Sequence, residues 1–187
     1  MEKKSYVIQV YTGREDIVTI QMRERVVFQE GEELYIPQAV RKKNRGGGNW
    51  DTTKEILFPG YLFLDVYDII SILKQLRRIP EFTRLLKTGD EITPLTEEER
   101  DVLCRLQGSS HVTECSLGLK DGDGILIVDG PLKGFAGSIR RIDRHKRKAI
   151  LKVPMFGRDT EIEVGLEVID RKPENEKLAK SGVRVGK

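Results

Sequence analysis

The run Ile56-Leu57-Phe58-Pro59-Gly60-Tyr61-Leu62-Phe63-Leu64-Asp65-Val66 is the strongest apolar stretch of the chain. Side chains alternate across a strand, so Leu62, Leu64 and Val66 share one face while Tyr61 and Phe63 share the other. A strand that is apolar on both sides must be covered twice. The aliphatic face requires helices of its own domain. For the aromatic face, periodicity alone favours internal cover, because aromatic stripes belong to cores more often than to interfaces.

Helices suited to that task are readable on either side. Tyr6 to Tyr11 reads as a first strand, with Thr12-Gly13 as the turn out of it. A helix follows, with Glu15 and Asp16 where the helix dipole favours negative charge; Val18, Met22 and Val26 recur at spacing four, and Ile17 and Ile20 widen the stripe. Asp68 is placed to cap a second helix whose Ile69, Ile72, Leu73 and Leu76 lie on one face and which Pro80 ends. Between them, Leu34 to Val40 reads as a strand interrupted by Pro37. Arg41 to Asp51 carries four basic residues, three glycines and the single tryptophan, Trp50. Composition favours a solvated, mobile loop there over a nucleic-acid contact. Phe82 to Leu86 suits a short strand. Thr96-Glu97-Glu98-Glu99 has the form of a capping box opening a helix through Val102, Leu103 and Leu106 that stops at Gly108.

These elements predict a first domain over 1–107, a flexible linker over 108–118 and a second domain over 119–171. The second domain has short β-rich runs at Ile125 to Val128, Phe135 to Ile142, Ala149 to Pro154 and Thr160 to Val164, separated by turn residues, as in a small barrel. Gly130, Pro131, Gly134 and Gly137 build a sharp reversal between two of them. Residues 172–187 lose the apolar period and are expected to be a disordered tail. The fold class is therefore α+β.

Charge is the other informative pattern. Residues 1–107 hold 17 Lys and Arg against 18 Asp and Glu, whereas Arg140 to Lys148 alone holds six against one. Six cations on a hairpin tip can neutralise phosphates without being buried, which favours nucleic acid over a merely solvated loop. No nucleophile has a base beside it, and the glycines near Gly130 lead into a strand rather than a phosphate-binding helix. Asp121, Asp123 and Asp129 adjoin glycines, as turn formers do. Cys104 and Cys115 lack paired metal-site spacing, and His111 and His145 are isolated. The expectation is a non-enzyme without metal or cofactor. No apolar run approaches the roughly 18 residues a membrane helix needs, so a cytoplasmic protein without a membrane partner is expected.

Two separate stretches resemble one family. Asp129 to Gly137 through Met155 to Thr160 and Ile162 to Val164 is similar to the KOW domain of NusG-type transcription elongation factors, and Leu57 to Phe63 to the signature strand of their N-terminal NGN domain. The resemblance covers residues 5–170. It implies an N-terminal antiparallel sheet flanked by helices, linked to a five-stranded SH3-like β-barrel, acting as a monomer. It also implies that the NGN domain sits on the clamp-helix coiled coil of the largest RNA polymerase subunit, with Phe58, Pro59, Tyr61 and Phe63 as the hydrophobic contact. That reverses the preference for internal cover, since a partner helix would supply the second cover. Ser5-Tyr6 stands where general members usually have Trp-Tyr, and the tip Arg144 to Lys148 is more basic than theirs. Both departures point to a specialised paralogue, and among these the chain resembles LoaP, mainly in its basic tip; operon-specific antitermination through a nascent RNA hairpin is then implied. RNA contact is then expected at Lys133, Arg140, Arg141, Arg144, His145, Lys146, Arg147, Lys148 and Arg158. Contact of the 41–51 loop with non-template DNA, and binding of the barrel to a ribosomal protein or termination factor, stay open.

Overall fold

The computed structural model describes residues 2–80, 84–88, 90–170 and 180–185. In chain order its elements are β1 (Lys4–Gln9), α1 (Glu15–Arg25), β2 (Glu33–Tyr35), β3 (Gln38–Gly46), β4 (Asn49–Ile56), β5 (Tyr61–Val66), α2 (Ile69–Leu76), β6 (Arg84–Leu85), β7 (Lys87–Thr88), β8 (Glu91–Ile92), α3 (Glu97–Gln107), β9 (Val112–Thr113), β10 (Ser116–Asp121), β11 (Gly124–Asp129), β12 (Ile139–Asp143), β13 (Lys148–Met155), β14 (Arg158–Ile169) and β15 (Val183–Val185). They form two compact units, Met1–Pro37 with Phe58–Arg100 and Gln38–Leu57 with Asp101–Lys187. This division cuts across the one expected from composition, because the β3–β4 hairpin groups with the second unit.

In the first unit a four-stranded sheet runs in the order β2-β5-β1-β6. Leu62, Leu64 and Val66 of β5 pack into one core with Val18 and Met22 of α1 and Ile69, Ile72 and Leu76 of α2. The helices thus cover the aliphatic face, and each fully buried side chain of this kind contributes roughly 1.5–3 kcal/mol. Asp68 caps α2, its Oδ1 accepting from the N–H groups of Ile70 at 2.9 Å and Ser71 at 3.2 Å. The capping box of α3 is reciprocal, Glu99 Oε2 accepting from Thr96 N–H at 2.9 Å and Thr96 Oγ1 from Glu99 N–H at 3.2 Å. Two expectations on this unit are corrected. Ile17 and Ile20 are 37% and 57% exposed, so the buried stripe of α1 is narrower than the apolar pattern. The first strand ends at Gln9, two residues early, and Tyr11 is exposed. Of the short strand expected over Phe82 to Leu86, Phe82 and Thr83 lie outside the described residues, while Arg84 and Leu85 pair with β1.

Leu34 to Val40 is not one strand. Pro37 has no N–H to give a ladder, and the chain leaves the first sheet after Tyr35 and enters another at Gln38. The stretch expected to be a mobile loop is a regular antiparallel hairpin of β3 and β4 instead, turned by Gly46, Gly47 and Gly48, all at positive φ.

In the second unit, β9 adds to β3 in parallel, and a six-stranded sheet runs β12-β13-β14-β10-β11-β15. The stretch 108–118, expected to be a linker, holds a 3-10 turn at Gly108–Ser110, all of β9 and the start of β10. Phe135 does not begin a strand: Pro131–Ser138 makes 3-10 turns, held where Ser116 Oγ accepts from Leu132 N–H at 3.1 Å. The tail expected to be disordered contributes β15, paired antiparallel with β11; residues 171–179 lie outside the described residues. The sheet therefore has one strand more than the five expected. Gly165 of β14 permits the hairpin to approach, since a Cβ there would strike the Val40 carbonyl oxygen and come within 2.9 Å of Cys115 Sγ. Among the described residues no helix is long and apolar enough to cross a membrane.

Candidate nucleic-acid interface

The basic tip is the β12–β13 hairpin. Asp143 ends β12, and its Oδ1 accepts from Lys146 N–H at 2.9 Å across the loop, which Arg147 closes at a φ of 48°. That backbone hydrogen bond, aided by the charges of Lys146 and Lys148, holds the Asp143 carboxyl below its usual range. A bulge falls between Ile139 and Arg141, so Arg140 is the extra residue of β12. Strict alternation would send Arg140 and Arg141 to opposite faces. With the bulge, both line one open cleft of about 360 Å³ together with Arg144.

The expected RNA-contacting residues separate into two groups. Arg140, Arg141, Arg144, His145, Lys146 and Arg158 are exposed, while Lys133, on the 3-10 turns, is half-buried. Arg147 and Lys148 are already engaged. The Arg147 guanidinium donates to Glu167 Oε1 at 2.7 Å and lies 4.0 Å from the centre of the Trp50 ring. Lys148 Nζ donates to Glu163 Oε1, and Glu163 Oε2 accepts from Arg41 at 3.1 Å. Lys148 first, then Arg41, pull the Glu163 carboxyl below its ordinary pKa, against the opposing effect of burial. Two acids of β14 thus clamp the hairpin and the base of the tip to each other.

Three of the four cations of the 41–51 stretch are likewise paired with acids, and Lys42 donates to Thr52 Oγ1 at 3.2 Å. Arg41 is buried, Lys43 meets Glu55 at 2.8 Å and Arg45 meets Asp51 at 2.6 Å. The sequence pattern did not reveal Glu163, Glu167 or the role of Trp50, because their partners lie from 15 to 122 residues away. The Arg105 side chain donates to the Gly134 carbonyl at 2.5 Å and covers Phe135 at 4.7 Å, fixing the reversal after β11.

The aromatic face of the first unit is built around Phe63. Tyr35 stacks on it with centroids 5.7 Å apart, and Phe58 lies 5.6 Å away, tilted. Phe58 and Phe63 are 2% and 0% exposed, so their rings are covered in this structure; Tyr61 is half-buried and Pro59 exposed. Gly60 turns the chain at a φ of 85°, its N–H donating to buried Glu15 Oε1 at 2.6 Å, while Gly13 N–H donates to Oε2 at 2.7 Å. Glu15 is therefore a staple between two loops, a role its place in the first helical turn does not announce. Among the described residues no group of three or more His, Cys, Asp or Glu side chains could hold a metal ion.

The architecture is α+β in two units, with a helix-backed antiparallel sheet in one and a basic hairpin on a β-sheet in the other. The family model for the transcription termination factor NusG matches residues 3–104, more than half of the chain. The chain belongs to the NusG family. It is 28% identical to the transcription termination/antitermination protein NusG of Bacillus subtilis and 25% identical to that of Halalkalibacterium halodurans, each over 91% of this chain and 99% of the relative. Among solved structures it is similar to one of Thermotoga maritima NusG, described as showing domain interaction: TM-score 0.53 and 26% identity over 88% of this chain and 94% of that one.

Proposed function

We propose that this protein is a transcription elongation and processive antitermination factor of the LoaP type, which holds RNA polymerase through its first unit and a hairpin in the nascent transcript through its second. The observation that carries the RNA half is the division of the basic tip. Arg147 and Lys148 are neutralised by Glu167 and Glu163, yet Arg140, Arg141, Arg144, His145 and Lys146 stand exposed on one hairpin. Exposed cations grouped this way gain by releasing counterions from phosphates. Contact at unpaired loop or bulge bases supplies selectivity, because the regular A-form major groove is too narrow for side chains. Lys133 and Arg158 lie outside this group: Lys133 is on the 3-10 turns, and Arg158 pairs with Met155 at the opposite end of β13 from Lys148.

On the polymerase side, Pro59 and Tyr61 form the accessible edge of the aromatic face, and Phe58 and Phe63 set its shape from behind. The partner is the clamp-helix coiled coil, an apolar helical surface of the kind that docks on aromatic faces. Two weak sites on one chain reinforce each other by effective concentration, so RNA capture delivers the first unit to the enzyme that made the RNA.

Selection of hairpins from a randomised-loop RNA pool, with Arg144→Ala/Lys146→Ala as the comparison, tests this reading. The parent should enrich a hairpin class that the variant does not, while both bind polymerase equally. Equal RNA affinity in both would overturn it. A second reading is favoured by the names of the relatives: a general termination/antitermination NusG whose barrel binds a ribosomal protein or termination factor, with the tip merely solvated. No enrichment of any RNA by the parent would select that reading.

A further inference from the structure

The six-stranded sheet has two outer strands, β12 and β15. The cleft of about 360 Å³ lies between them. One wall is β12 with Arg140, Arg141 and the nearby Arg144; the other is the start of β11 with Asp123, and Val185 of β15. The floor is apolar, made by Ile125, Ile139 and Ile142. This volume lies at the small end of ligand-sized pockets, which run from about 300 to 1,000 Å³. It has cations at one side, a carboxylate at the other and hydrocarbon between.

A nucleotide has the matching polarity: an anionic phosphate, a flat ring that prefers apolar contact, and a base edge carrying donors. A duplex backbone does not match, because it would bring a row of phosphates past Asp123. A basic peptide is disfavoured by the three arginines. Resting on the RNA-binding reading above, we propose that this cleft seats one unstacked nucleotide from the RNA loop, with its phosphate among Arg140, Arg141 and Arg144 and its base on Ile125, Ile142 and Val185.

The C-terminal strand is then part of the RNA site. β15 is fixed by its register, with Ile125 opposite Val185 and Ile127 opposite Val183, and by Arg184, which meets Asp121 at 3.5 Å. Gly124 lets it approach: a Cβ there would lie 3.1 Å from the Val185 carbonyl oxygen. Removing β15 takes away one wall without touching a cation of the tip, so it separates the cleft from the general charge of the hairpin.

The test uses the full-length chain and a wide-loop RNA stem-loop in which 2-aminopurine replaces one loop base at a time. At one loop position the parent should change the 2-aminopurine emission, reporting a base taken from its stack. Arg141→Ala and a chain lacking residues 180–187 should each lose that signal and bind the stem-loop about tenfold more weakly, in line with loss of one base contact, with a distinctly smaller loss on a loopless RNA duplex, where only the charge of the removed cations counts. Arg141 is exposed, so this variant keeps its fold and interprets the truncation. If the parent binds the stem-loop and both variants match it in affinity and emission, the cleft is not the seat. Equal losses on the duplex would mean that the cleft only follows the backbone, and would also overturn the proposal. If the parent binds no RNA at all, the RNA reading falls and the cleft proposal with it. Loss of a protein ligand, with RNA binding unchanged, would assign the cleft to a peptide instead.

Discussion

Trp50 and Arg147 are stacked, the guanidinium carbon lying 4.0 Å from the ring centre although the residues stand almost a hundred positions apart in the chain. The contact joins the β3–β4 hairpin to the base of the basic tip. Stacking of this kind contributes about 0.5–2 kcal/mol, rising with desolvation.

Because Trp50 is the only tryptophan, its emission reports the surroundings of that contact. Arg147→Ala uncovers one side of the ring and should shift emission to longer wavelength, with a stability loss of about 1 kcal/mol. A spectrum superimposable on the parent's would show that the two groups are not in contact in solution.

The Glu163 clamp predicts a pH dependence. Its carboxyl is held below the ordinary glutamate value, so its contribution to stability is present above the unfolded pKa of about 4.3 and is lost as pH falls through the lower folded value. Acid titration followed by Trp50 emission should show the hairpin loosening in that window. Glu163→Gln should be less stable at neutral pH and flatter across it; a variant as acid-sensitive as the parent would refute the assignment.

Three glycines of the reversal after β11 look alike in the sequence but differ in the structure. Gly130 sits at a φ of 87°, and a Cβ there would lie 2.7 Å from Ser116 Cα, whereas Gly137 has nothing within 4 Å and no positive φ. Gly130→Ala should cost about 1–3 kcal/mol or more, and Gly137→Ala within about 0.5 kcal/mol of nothing. Thermal unfolding of the pair checks both, and equal Tm values would contradict the close approach.

On the polymerase side, Tyr61→Ala should weaken binding to a clamp coiled-coil fragment severalfold while leaving RNA affinity unchanged. A pull-down titration measures the first and a gel shift the second. Unchanged polymerase binding would move the contact away from this face.

What could be read from the sequence was local. Asp68 and the Thr96–Glu99 box cap their helices through residues two or three positions away, and the two faces of β5 follow from alternation alone. The NusG signature in Leu57 to Phe63 was likewise legible, because it is a contiguous run. What could not be read depends on distant partners. Glu15 lies 45 residues from the Gly60 N–H it accepts, and Arg41 lies 122 from Glu163. The bulge at Arg140 breaks alternation without a glycine to mark it. β15 is three residues long and gains its place from the β11 edge, far from it in the chain. The basic tip was visible as charge, but which of its cations are exposed was decided by β14 acids on another strand.

The most direct measurement is the salt dependence of binding between the full chain and a selected RNA hairpin, compared with Arg144→Ala/Lys146→Ala. Each phosphate contact contributes about 0.7–0.9 to the slope of log affinity against log salt. The variant should bind more weakly with a slope shallower by about 1.4–1.8, as expected for two lost contacts. Parallel lines of equal affinity would contradict the claim that the exposed cations of this hairpin hold RNA.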